Sequence, residues 1–495
     1  LASNCGQNTI RLNAYDNTRT AVENYNKGAW ENNLYVVPDI AGGDVDYNGT
    51  GVTGRWSIVS STSTSCGNSA VFSSETDPDA IFTASPGTYV LRWTLEDARA
   101  CPDEVTITIT DCDQVDFDGV NDYVDFKNNY NLTSPFSIEV WVKPNSIGGT
   151  QTIFSRKDAN DNTNGYDLSL VNTQVQFNWY NASGTGNVTS GGLGINTDRW
   201  YHLAVTFDGS TYILFIDGLE INSSTGGAPD ATPNNIHAML GGMDQSPPNA
   251  PTNHFHGWMD EFKIWNKAIA TEHIRQMMNQ EIEASGNDVI GLVVPTKIYG
   301  SDVDNNGVED NPLLWSDLDG YYKMNVACGD LAAYKGVAGR LINIQTSQSQ
   351  TAPIPYTSRA STNWDTDTTW THSSVWDVPN SDGITGDAID WNIVRTNHNI
   401  TSDTRDLTLL GLIVNTNELT ISGTGAQDET NNGTGLWITH YLRLNSEIDL
   451  VGESQLVQKR YTSDQFNESI LDTASGGSLE RDQQGNSNLY LYNEL

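Results

Sequence analysis

Positive charge is scarce in this chain. Lysine and arginine number 25 against 62 aspartates and glutamates, so the formal net charge is −37 over 495 residues. Nucleic-acid binding needs clustered lysine and arginine to neutralise phosphates, and anionic membranes attract the same residues. We therefore expect no nucleic-acid partner and no docking on an anionic membrane surface.

Long apolar runs are also missing. No run approaches the ~18 consecutive apolar residues of a spanning helix, so we expect no direct membrane insertion. Hydrophobic residues still make up 37% of the chain, and 14 Trp, 20 Tyr and 12 Phe are enough to build real cores. The rest is rich in Asn, Asp, Gly, Ser and Thr, which favour turns over helix interiors. The composition predicts a secreted, all-β, multidomain chain.

Cysteine is sparse and unevenly placed. Four of the five cysteines fall within the first 112 residues. They are Cys5, Cys66, Cys101 and Cys112. An even set in one segment is typical of disulfides and of an oxidising location, and we predict the pairs Cys66–Cys101 and Cys5–Cys112. Three connectivities are possible for four cysteines, free buried thiols are the alternative, and Cys328 has no evident mate.

The first segment, residues 1–113, alternates apolar and polar positions. Tyr89, Leu91 and Trp93 face one side of a strand, with polar residues between them. A period of two with one polar face is typical of a half-buried antiparallel strand, so we predict an immunoglobulin-like sandwich. The string at 86–93 and its neighbours resemble the PKD-like modules of Bacteroidota surface proteins. That resemblance implies a spacer.

The second segment, residues 114–285, holds five strand-like blocks bounded by Gly, Pro or Asp turns. The blocks are 115–125, 136–144, 200–209, 212–218 and 255–265. Their order and spacing resemble the LamG-like family, which implies a concanavalin-type jelly roll. The stretch 271–278 predicts a short closing helix with Thr271 as its cap and an apolar stripe that starts at Ile274.

The last two segments are less regular. Residues 286–360 are short and mixed, and we predict a connector that holds one calcium loop. Residues 361–495 hold many very short strands without a fixed repeat length, which favours a β-solenoid-like region or a flattened sandwich. Strings in this region resemble a part of large flavobacterial secreted proteins that precedes a type 9 secretion sorting domain. We therefore expect the chain to be a piece of a longer protein, truncated before that domain.

The connector contains a pattern of oxygen ligands, D-x-D-x-N-G-x-x-D. Its side chains are Asp302, Asp304, Asn306 and Asp310. Calcium takes six to eight hard oxygens, and the carbonyl of Val308 would serve as a further ligand. Position twelve is Leu313 where an EF-hand has Glu, so the loop resembles the calcium repeats of thrombospondin type. Asp317 or Asp319 is a candidate for the missing carboxylate, and an ordinary Asx-rich turn is the alternative.

The LamG-like resemblance implies a second calcium position. Relatives in that family often hold calcium between the first strand and the closing strand. By position, Asp118, Asp122 and Asp260 are the candidates in this chain. Turn-capping aspartates with a strand-end acid are the alternative.

Ligand recognition is expected in loops at one rim of the jelly roll. The candidates are Trp179, Tyr180, His254, Phe255 and His256. Aromatic rings stack on sugar rings, and calcium-bound acids can grip vicinal hydroxyls. The alternative for Trp179 is a core position, because it alternates with Phe177.

Catalytic patterns are not found. Concanavalin-type glycosidases need two carboxylates that flank the scissile bond, and their usual strand motif E-x-D-x-x-E is missing. Strand alternation predicts that Asp260 and Glu261 lie on opposite faces. No G-x-S-x-G, H-E-x-x-H or P-loop occurs either. We predict that the chain is not an enzyme.

Two short strings match the O-glycosylation signal of Bacteroidota. They are D-T-T with Thr368 and D-T-A with Thr473. If the resemblance to that lineage holds, these two threonines are glycan acceptors.

Taken together, the resemblances imply a segment of an extracellular, cell-surface adhesin like the large type 9-secreted proteins of Bacteroidota, some of which serve gliding motility. The LamG-like domain would bind a surface glycan or another extracellular ligand with Ca²⁺. Neighbouring domains of a longer chain would be its other partners. The alternatives are a structural stalk or filament subunit without a ligand, and an accessory binding module of a polysaccharide-degrading enzyme.

Overall fold

Strands dominate the molecule. The computed structural model describes residues 9–12, 35–36, 54–63, 70–95, 103–109, 114–246, 251–304, 306–327, 330–371, 377–459 and 468–482. Strands account for 47% and helices for 3%, which confirms the all-β, multidomain prediction. Within the described residues, no helix has the length and apolar character that crossing a membrane requires.

The N-terminal unit is a small sandwich of two sheets. Its strands are β1 (Thr9–Arg11), β2 (Tyr35–Val36), β3 (Gly54–Ser63), β4 (Ala70–Phe72), β5 (Ile81–Ala84), β6 (Gly87–Leu95) and β7 (Asp103–Ile109). One sheet has the order β2-β1-β5-β4 and the other β3-β6-β7. Trp56 and Tyr89 from the second sheet and Phe82 from the first lie in one core, as the alternating pattern predicts. The PKD-like resemblance of this unit stays a prediction.

All five cysteines lie outside the described residues. These are Cys5, Cys66, Cys101, Cys112 and Cys328. The predicted pairs Cys66–Cys101 and Cys5–Cys112 therefore stay predictions.

The central unit is a jelly roll of two large sheets. Its strands, with one hairpin that packs outside the sheets, are β8 (Asp116–Asp118), β9 (Tyr123–Asp125), β10 (Phe136–Pro144), β11 (Thr150–Arg156), β12 (Gly165–Val171), β13 (Gln174–Asn181), β14 (Gly184–Thr189), β15 (Tyr201–Phe207), β16 (Thr211–Ile216), β17 (Leu219–Thr225), β18 (Ala238–Leu240), β19 (His256–Trp265), the hairpin β20 (Ile282–Ser285) and β21 (Asp288–Gly291), then β22 (Leu318–Tyr322), β23 (Val326–Ala327), β24 (Asp330–Leu331) and β25 (Gly339–Ile342). The seven-stranded sheet has the order β17-β16-β15-β10-β19-β22, with β8 also paired to β19. The nine-stranded sheet has the order β14-β13-β12-β11-β18-β9-β25-β24-β23.

The segment predicted as a connector, residues 286–360, differs from that prediction. Part of it extends both sheets: β22 pairs with β19 (Phe262 opposite Tyr322), and β25 pairs with β9. Tyr322, Met324 and Leu331 are fully buried in the core between the two sheets. These apolar side chains are the physical reason why this part of the chain belongs to the jelly roll.

One α-helix, α1 (Thr271–Met277), covers the outer face of the seven-stranded sheet. The predicted stripe is confirmed, since Ile274 and Met277 pack with Trp265 in a satellite core. The predicted cap is wrong: Thr271 is the first helical residue, and Ala270 occupies the cap position. Alanine has no side-chain acceptor for the first N–H groups of the helix. The backbone N–H of Ala270 itself donates to His273 Nδ1 (3.1 Å). Short 3₁₀ helices occur at Trp315–Asp317 and Asp367–Thr369.

The C-terminal region is a parallel β-solenoid of two sheets. Its strands are β26 (Tyr356–Thr357), β27 (Ile393–Thr396), β28 (Ile400–Ser402), β29 (Leu407–Val414), β30 (Glu418–Ile421), β31 (Gly435–Leu444), β32 (Glu447–Leu450), β33 (Gln455–Gln458), β34 (Ile470–Leu471) and β35 (Ser478–Arg481). The sheets have the orders β26-β27-β29-β31-β33, with β34 beside β31, and β28-β30-β32-β35. Ile400, Leu419 and Ile448 stack in register inside, at separations of 19 and 29 residues, so no fixed repeat length exists.

The solenoid and the jelly roll share a continuous apolar core. Trp141 from β10 packs in the same cluster as the solenoid residues Trp391 and Ile393. Trp391 Nε1 donates to the carbonyl of Asp217 (3.0 Å), and the Arg275 guanidinium lies 3.8 Å from the Trp391 ring centroid. The two units are therefore joined by buried aromatic packing, in which the indole N–H of Trp391 has a hydrogen-bond acceptor.

A cluster of ionisable side chains is buried on the outer face of the seven-stranded sheet. A bulge with Glu261 at φ 49° shifts the β10–β19 register, so Asp260 and Glu261 both leave the main core. The expectation that these acids lie on opposite faces is wrong, because it assumed a strand without a bulge. Lys263 Nζ lies 3.0 Å from Glu261 Oε2, and Tyr321 donates to the same oxygen at 2.7 Å.

Burial disfavours the charged forms in this cluster. Desolvation, together with the nearby Glu261 carboxylate, raises the pKa of Asp260 to about 8. Burial also raises the pKa of Glu139 and Glu261, while Lys263 lowers both. The acids therefore outnumber their one buried cation, and the fold favours protonated carboxyls.

Asp260 should make the fold less stable as the pH rises. Its folded pKa of about 8 lies above the ~3.9 of an unfolded aspartate, so its stabilisation is complete below pH ~4 and is lost as the pH rises towards 8. Between pH 5 and 8, the free energy of unfolding should decrease less steeply with pH in Asp260→Asn than in the natural chain. The slope should differ by up to about 1.4 kcal/mol per pH unit. Denaturant unfolding at fixed ionic strength measures this slope. The exposed Asp382→Asn is the control, and an unchanged slope in Asp260→Asn contradicts the account.

Candidate functional site

The outer face of the nine-stranded sheet carries a polar surface on β12 and β13. Asp167 lies opposite Asn178 in the register, and Tyr180 is two residues further along β13. Leu168 and Phe177 point the other way, into the core. Strand alternation therefore turns a set of polar side chains outward, over a core that fixes the backbone beneath them.

Asp167 organises this polar surface. Its carboxylate accepts hydrogen bonds from Ser169 Oγ (2.8 Å), Asn178 Nδ2 (2.8 Å) and the Tyr180 hydroxyl (3.2 Å). Gln176 Nε2 in turn donates to Asn178 Oδ1 at 2.5 Å. Because Asp167 is only 2% exposed, its hydrogen bonds hold the more exposed amides and the phenol in place.

Lys157 completes the polar surface. Its Nζ lies 4.5 Å from the Tyr180 ring centroid and donates to the carbonyls of Asp158 (2.9 Å) and Asp161 (2.7 Å). Burial lowers the pKa of Lys157, and the Asp167 carboxylate opposes that change. Burial and the same carboxylate raise the pKa of Tyr180. The phenol thus stays a hydrogen-bond donor across the physiological pH range.

This arrangement suits a neutral polyhydroxylated ligand. It presents an aromatic ring with its phenol and two half-buried amides; the buried carboxylate holds Asn178 and Tyr180 directly, and Gln176 bonds to Asn178. Such groups pair with hydroxyls, which donate and accept hydrogen bonds, and the ring offers an apolar face. We name Lys157, Asp167, Gln176, Asn178 and Tyr180 the β12–β13 surface.

Sequence reasoning found Tyr180 but missed its partners. Asp167 and Asn178 carry a usable signal, because both are polar residues at alternate positions of otherwise apolar strands. Their mutual contact depends on the pairing of β12 with β13, which cannot be read from the sequence alone. Lys157 gives no such signal, since lysines at strand ends are common.

Two of the predicted ligand residues are core residues. Trp179 is 4% exposed and stacks on Tyr212 with ring centroids 3.9 Å apart. Phe255 is fully buried and meets Phe117 edge-on at 6.2 Å. The ligand-binding prediction is therefore wrong for both, because alternation turns each ring between the sheets. The core alternative for Trp179 is the correct one.

The two predicted histidines lie elsewhere on the jelly roll. His254 Nδ1 lies 3.3 Å from the Asp122 carbonyl, and its Nε2 lies 3.0 Å from the Pro251 carbonyl. The backbone N–H of His256 donates to Gln151 Oε1 (2.9 Å). β9, beside His254, is four strands from β13, or ~19 Å at the usual strand spacing. Neither histidine belongs to the β12–β13 surface.

The structure does not bring Asp118, Asp122 and Asp260 together. Asp118 pairs with His256, four residues or ~13 Å along the strand from Asp260. Asp122 accepts the N–H of Asp118 (2.9 Å), and Asp260 accepts the N–H of Ala352 (3.0 Å). This calcium prediction is wrong, because one pair caps a turn and the third acid lies under the solenoid junction.

The predicted calcium loop, in contrast, gathers its acids. Carboxylate oxygens of Asp302, Asp304 and Asp310 lie within 4.8 Å of one another, and in the described part of the chain this is the one such group. Asp302 is buried and accepts the N–H groups of Asn306 (3.0 Å) and Gly307 (2.8 Å). Oxygens that ligate one calcium at 2.3–2.6 Å lie up to ~5 Å apart, so this spacing fits the ion.

The remaining predicted calcium ligands differ in position. Asn306 Oδ1 accepts the N–H of Val308 (2.8 Å), which closes the turn and leaves the Val308 carbonyl available. Asp317 and Asp319 are not in the group, since they accept hydrogen bonds from Leu314 and Asn266. The sequence pattern did not single out Glu309.

Glu309 anchors the calcium loop to the protein. Its two carboxylate oxygens accept the N–H of Gly300 (2.6 Å) and the ammonium of Lys297 (3.1 Å). Burial raises the pKa of Glu309, but His273, whose Nε2 lies 3.7 Å from Oε1, and the contacts to Gly300 and Lys297 outweigh burial, so the pKa is lowered. The loop is therefore held at its base whether or not an ion is bound.

The predicted glycan acceptors are both accessible. Thr368 lies in the 3₁₀ turn Asp367–Thr369, and Thr473 follows β34 in a turn. Both side chains are exposed. O-glycosylation at these positions stays a prediction.

Comparison with known proteins gives a family match for the jelly roll. Residues 118–275, about a third of the chain, match the Laminin G 3 model, described as the concanavalin A-like lectin/glucanases superfamily. No curated protein matches the chain. The predicted LamG-like jelly roll is thus confirmed.

Several solved structures resemble parts of the chain. A protein of Bacteroides ovatus ATCC 8483, provisionally described as carbohydrate-binding, is 14% identical over 61% of this chain and 90% of its own, with a TM-score of 0.34. A SAP-like pentraxin of Limulus polyphemus is 16% identical over 34% and 82%, with a TM-score of 0.27. The CBM40 of the Ruminococcus gnavus IT-sialidase, bound to α2,3-sialyllactose, is 15% identical over 32% and 94%, also at 0.27. Because these TM-scores lie below 0.5, no functional conclusion rests on them.

Proposed function

We propose that the chain is an extracellular glycan-binding protein whose jelly roll binds saccharide hydroxyls on the β12–β13 surface. The observation that carries this proposal is the buried Asp167 carboxylate, which holds the half-buried Asn178 and Tyr180 in fixed positions on the outer side of β13. The lectin-type family match of residues 118–275 supports the same reading. Preorganised polar groups lose little conformational entropy on binding, which favours recognition of a polar ligand.

The proposed binding groups lie on β13, within the sheet, and not in the loops at the rim of the jelly roll. Tyr180 offers its ring and hydroxyl, and Asn178 and Gln176 offer amide donors and acceptors. Asp167 is too buried to face a ligand fully, so it acts mainly by positioning its partners. No chemical turnover is proposed for this surface.

Truncation of Tyr180 should weaken saccharide binding. A glycan array with the intact chain in the presence of calcium first identifies a ligand. Titration calorimetry then measures its Kd for Tyr180→Ala and Asn178→Ala, each expected to rise about 10-fold, or ~1.4 kcal/mol. Tyr180→Phe should lose less, because only the hydroxyl is removed.

Tyr334→Ala is the matched control, because this tyrosine is 50% exposed and is not part of the β12–β13 surface. A ligand whose Kd is unchanged in Tyr180→Ala and Asn178→Ala would place the binding site elsewhere. If the chain binds no glycan on the array, the alternative of a structural stalk or filament subunit is favoured.

We also propose that the Asp302–Asp310 loop binds Ca²⁺. Three convergent carboxylates, with one of them buried, repel one another unless a cation lies between them. Asp302, Asp304 and Asp310 would supply carboxylate oxygens, and the Val308 carbonyl would supply another ligand. The role of the ion is structural in this proposal, since it would neutralise the loop beside α1.

Calcium should raise the melting temperature of the chain. At calcium concentrations 100-fold above Kd, binding stabilises the folded state by about 2.7 kcal/mol. Scanning calorimetry with calcium and with EDTA should differ for the natural chain and coincide for Asp304→Asn. Asp319→Asn, outside the cluster, should keep the difference. Identical melts of the natural chain with and without EDTA would refute the proposal.

The cellular role is proposed from the sequence. A net charge of −37, LamG-like and PKD-like resemblances and a solenoid region fit a segment of a cell-surface adhesin in a calcium-containing medium. Type 9 secretion and a part in gliding motility belong to that same proposal. The sequence of the parent gene discriminates it from an accessory module of a polysaccharide-degrading enzyme, which would be joined to a catalytic domain.

A further inference from the structure

A groove on the solenoid carries two arginines and is locally positive, although the chain as a whole is negatively charged. It lies on the outer face of the six-stranded sheet and has a volume of about 350 Å³. Arg395, Ile413 and Arg443 stand side by side on β27, β29 and β31, in register. The two arginines are therefore two strands, or ~10 Å, apart across an isoleucine.

Neither arginine has an ion pair in the described part of the chain. Arg443 Nε donates to Asn445 Oδ1 (3.2 Å), and the nearby Asp472 acts on it only through space. Burial lowers the pKa of Arg395, and the Arg443 guanidinium lowers it further. Arg443 also interacts with Tyr441 and is attracted by the Asp472 carboxylate, but in the described residues no carboxylate lies at ion-pair distance from either guanidinium group. This is unusual in a chain with 62 acids and 25 bases.

One edge of the groove is a ladder of asparagine amides. Asn415 Nδ2 donates to Asn397 Oδ1 (2.8 Å), and Asn445 Nδ2 donates to Asn415 Oδ1 (3.3 Å). Asn415 and Asn445 each use one amide N–H in the ladder, and Asn397 only accepts, so amide N–H groups remain for a ligand. The ladder therefore offers repeated donors at the spacing of the strands.

The opposite wall of the groove is apolar. Leu292, which is 43% exposed, and Val293 come from the chain that follows β21 in the jelly roll. Val294 beside them packs on the solenoid core and fixes this wall. The groove thus combines two cations, a row of amides and an apolar wall at the junction of two domains.

From this combination we infer that the groove binds an anionic saccharide, with a carboxylate or sulfate group held between Arg395 and Arg443. Guanidinium groups bind such planar or tetrahedral oxyanions through paired N–H donors. The asparagine ladder would meet ring hydroxyls, and Leu292 would pack on the C–H face of the sugar ring. An acidic peptide would use the arginines but would leave the amide ladder without hydroxyl partners, so the saccharide is favoured.

The site is separate from the β12–β13 surface, so each stands without the other. The net charge of −37 opposes a distant polyanion, but salt at physiological strength screens that repulsion beyond about 8 Å. The two guanidinium groups act at contact distance, where screening is weak. Binding of short anionic oligosaccharides is therefore the expected behaviour.

Titration calorimetry with the intact chain tests this site. The probes are tetragalacturonate, its methyl ester, a sulfated carrageenan tetrasaccharide and a tetra-aspartate peptide. At least one anionic tetrasaccharide should bind, and the one preferred decides between carboxylate and sulfate. The uncharged methyl ester and the peptide should bind at least 10-fold more weakly than that tetrasaccharide.

Variants assign the binding to the groove. Arg395→Gln and Arg443→Gln should each weaken binding of the anionic tetrasaccharide at least 10-fold, with an unchanged melting temperature. Arg481→Gln, which changes an exposed arginine on β35, and Tyr334→Ala should leave it unchanged. Equal binding of the methyl ester, stronger binding of the peptide, absence of binding by both anionic tetrasaccharides, or full affinity of both groove variants would each overturn the inference.

Discussion

Burial of both faces of the seven-stranded sheet is the constraint on which the architecture depends. Every residue of β10 and β15 is buried, whereas a strand with one wet face alternates, as β13 does. One face meets the nine-stranded sheet, and the other meets α1, the β20–β21 hairpin and the solenoid. A sheet that is buried on both faces needs other elements packed on each side. The jelly roll and the solenoid are therefore not structurally independent of each other. Trp141 lies under this cover: it is buried, and its Nε1 donates to the Met278 carbonyl (2.7 Å).

This constraint also explains where a ligand can bind. On the outer face of the nine-stranded sheet, β11 and β12 are also buried almost throughout, whereas β13 keeps half-exposed polar side chains, and these belong to the β12–β13 surface. Under the cover, in contrast, Asp260, Glu261 and Glu139 are sealed with Lys263, and burial shifts their pKa values. Carboxylates in the same protein therefore differ in role: some are buried and favour the protonated form, some gather at a calcium loop, and Asp167 positions its neighbours. In the solenoid groove, two arginines lie side by side and form no ion pair with a described carboxylate.

The sequence predicted features that depend on local pattern. Alternation identified strands of the N-terminal unit, turn-bounded blocks identified strands of the jelly roll, and the D-x-D-x-N-G pattern identified a loop whose acids do converge. It failed where pairing partners far apart in sequence decide the outcome. β25 is a four-residue strand that gains its place by pairing with β9, more than two hundred residues earlier. The bulge at Glu261 arises from the register between β10 and β19, so a single strand gives no hint that Asp260 and Glu261 share a face.

The central claim is that a saccharide binds at the half-exposed polar side chains of β13, on the outer side of the β12–β13 pair. Hydrogen–deuterium exchange with mass spectrometry, on the intact chain with and without a neutral saccharide, tests it directly. The account predicts slower exchange in peptides that cover Gly165–Asn181, and no change in α1 or in β10 beneath its cover. Protection confined to the loops around His254, or to no part of the jelly roll, would contradict it.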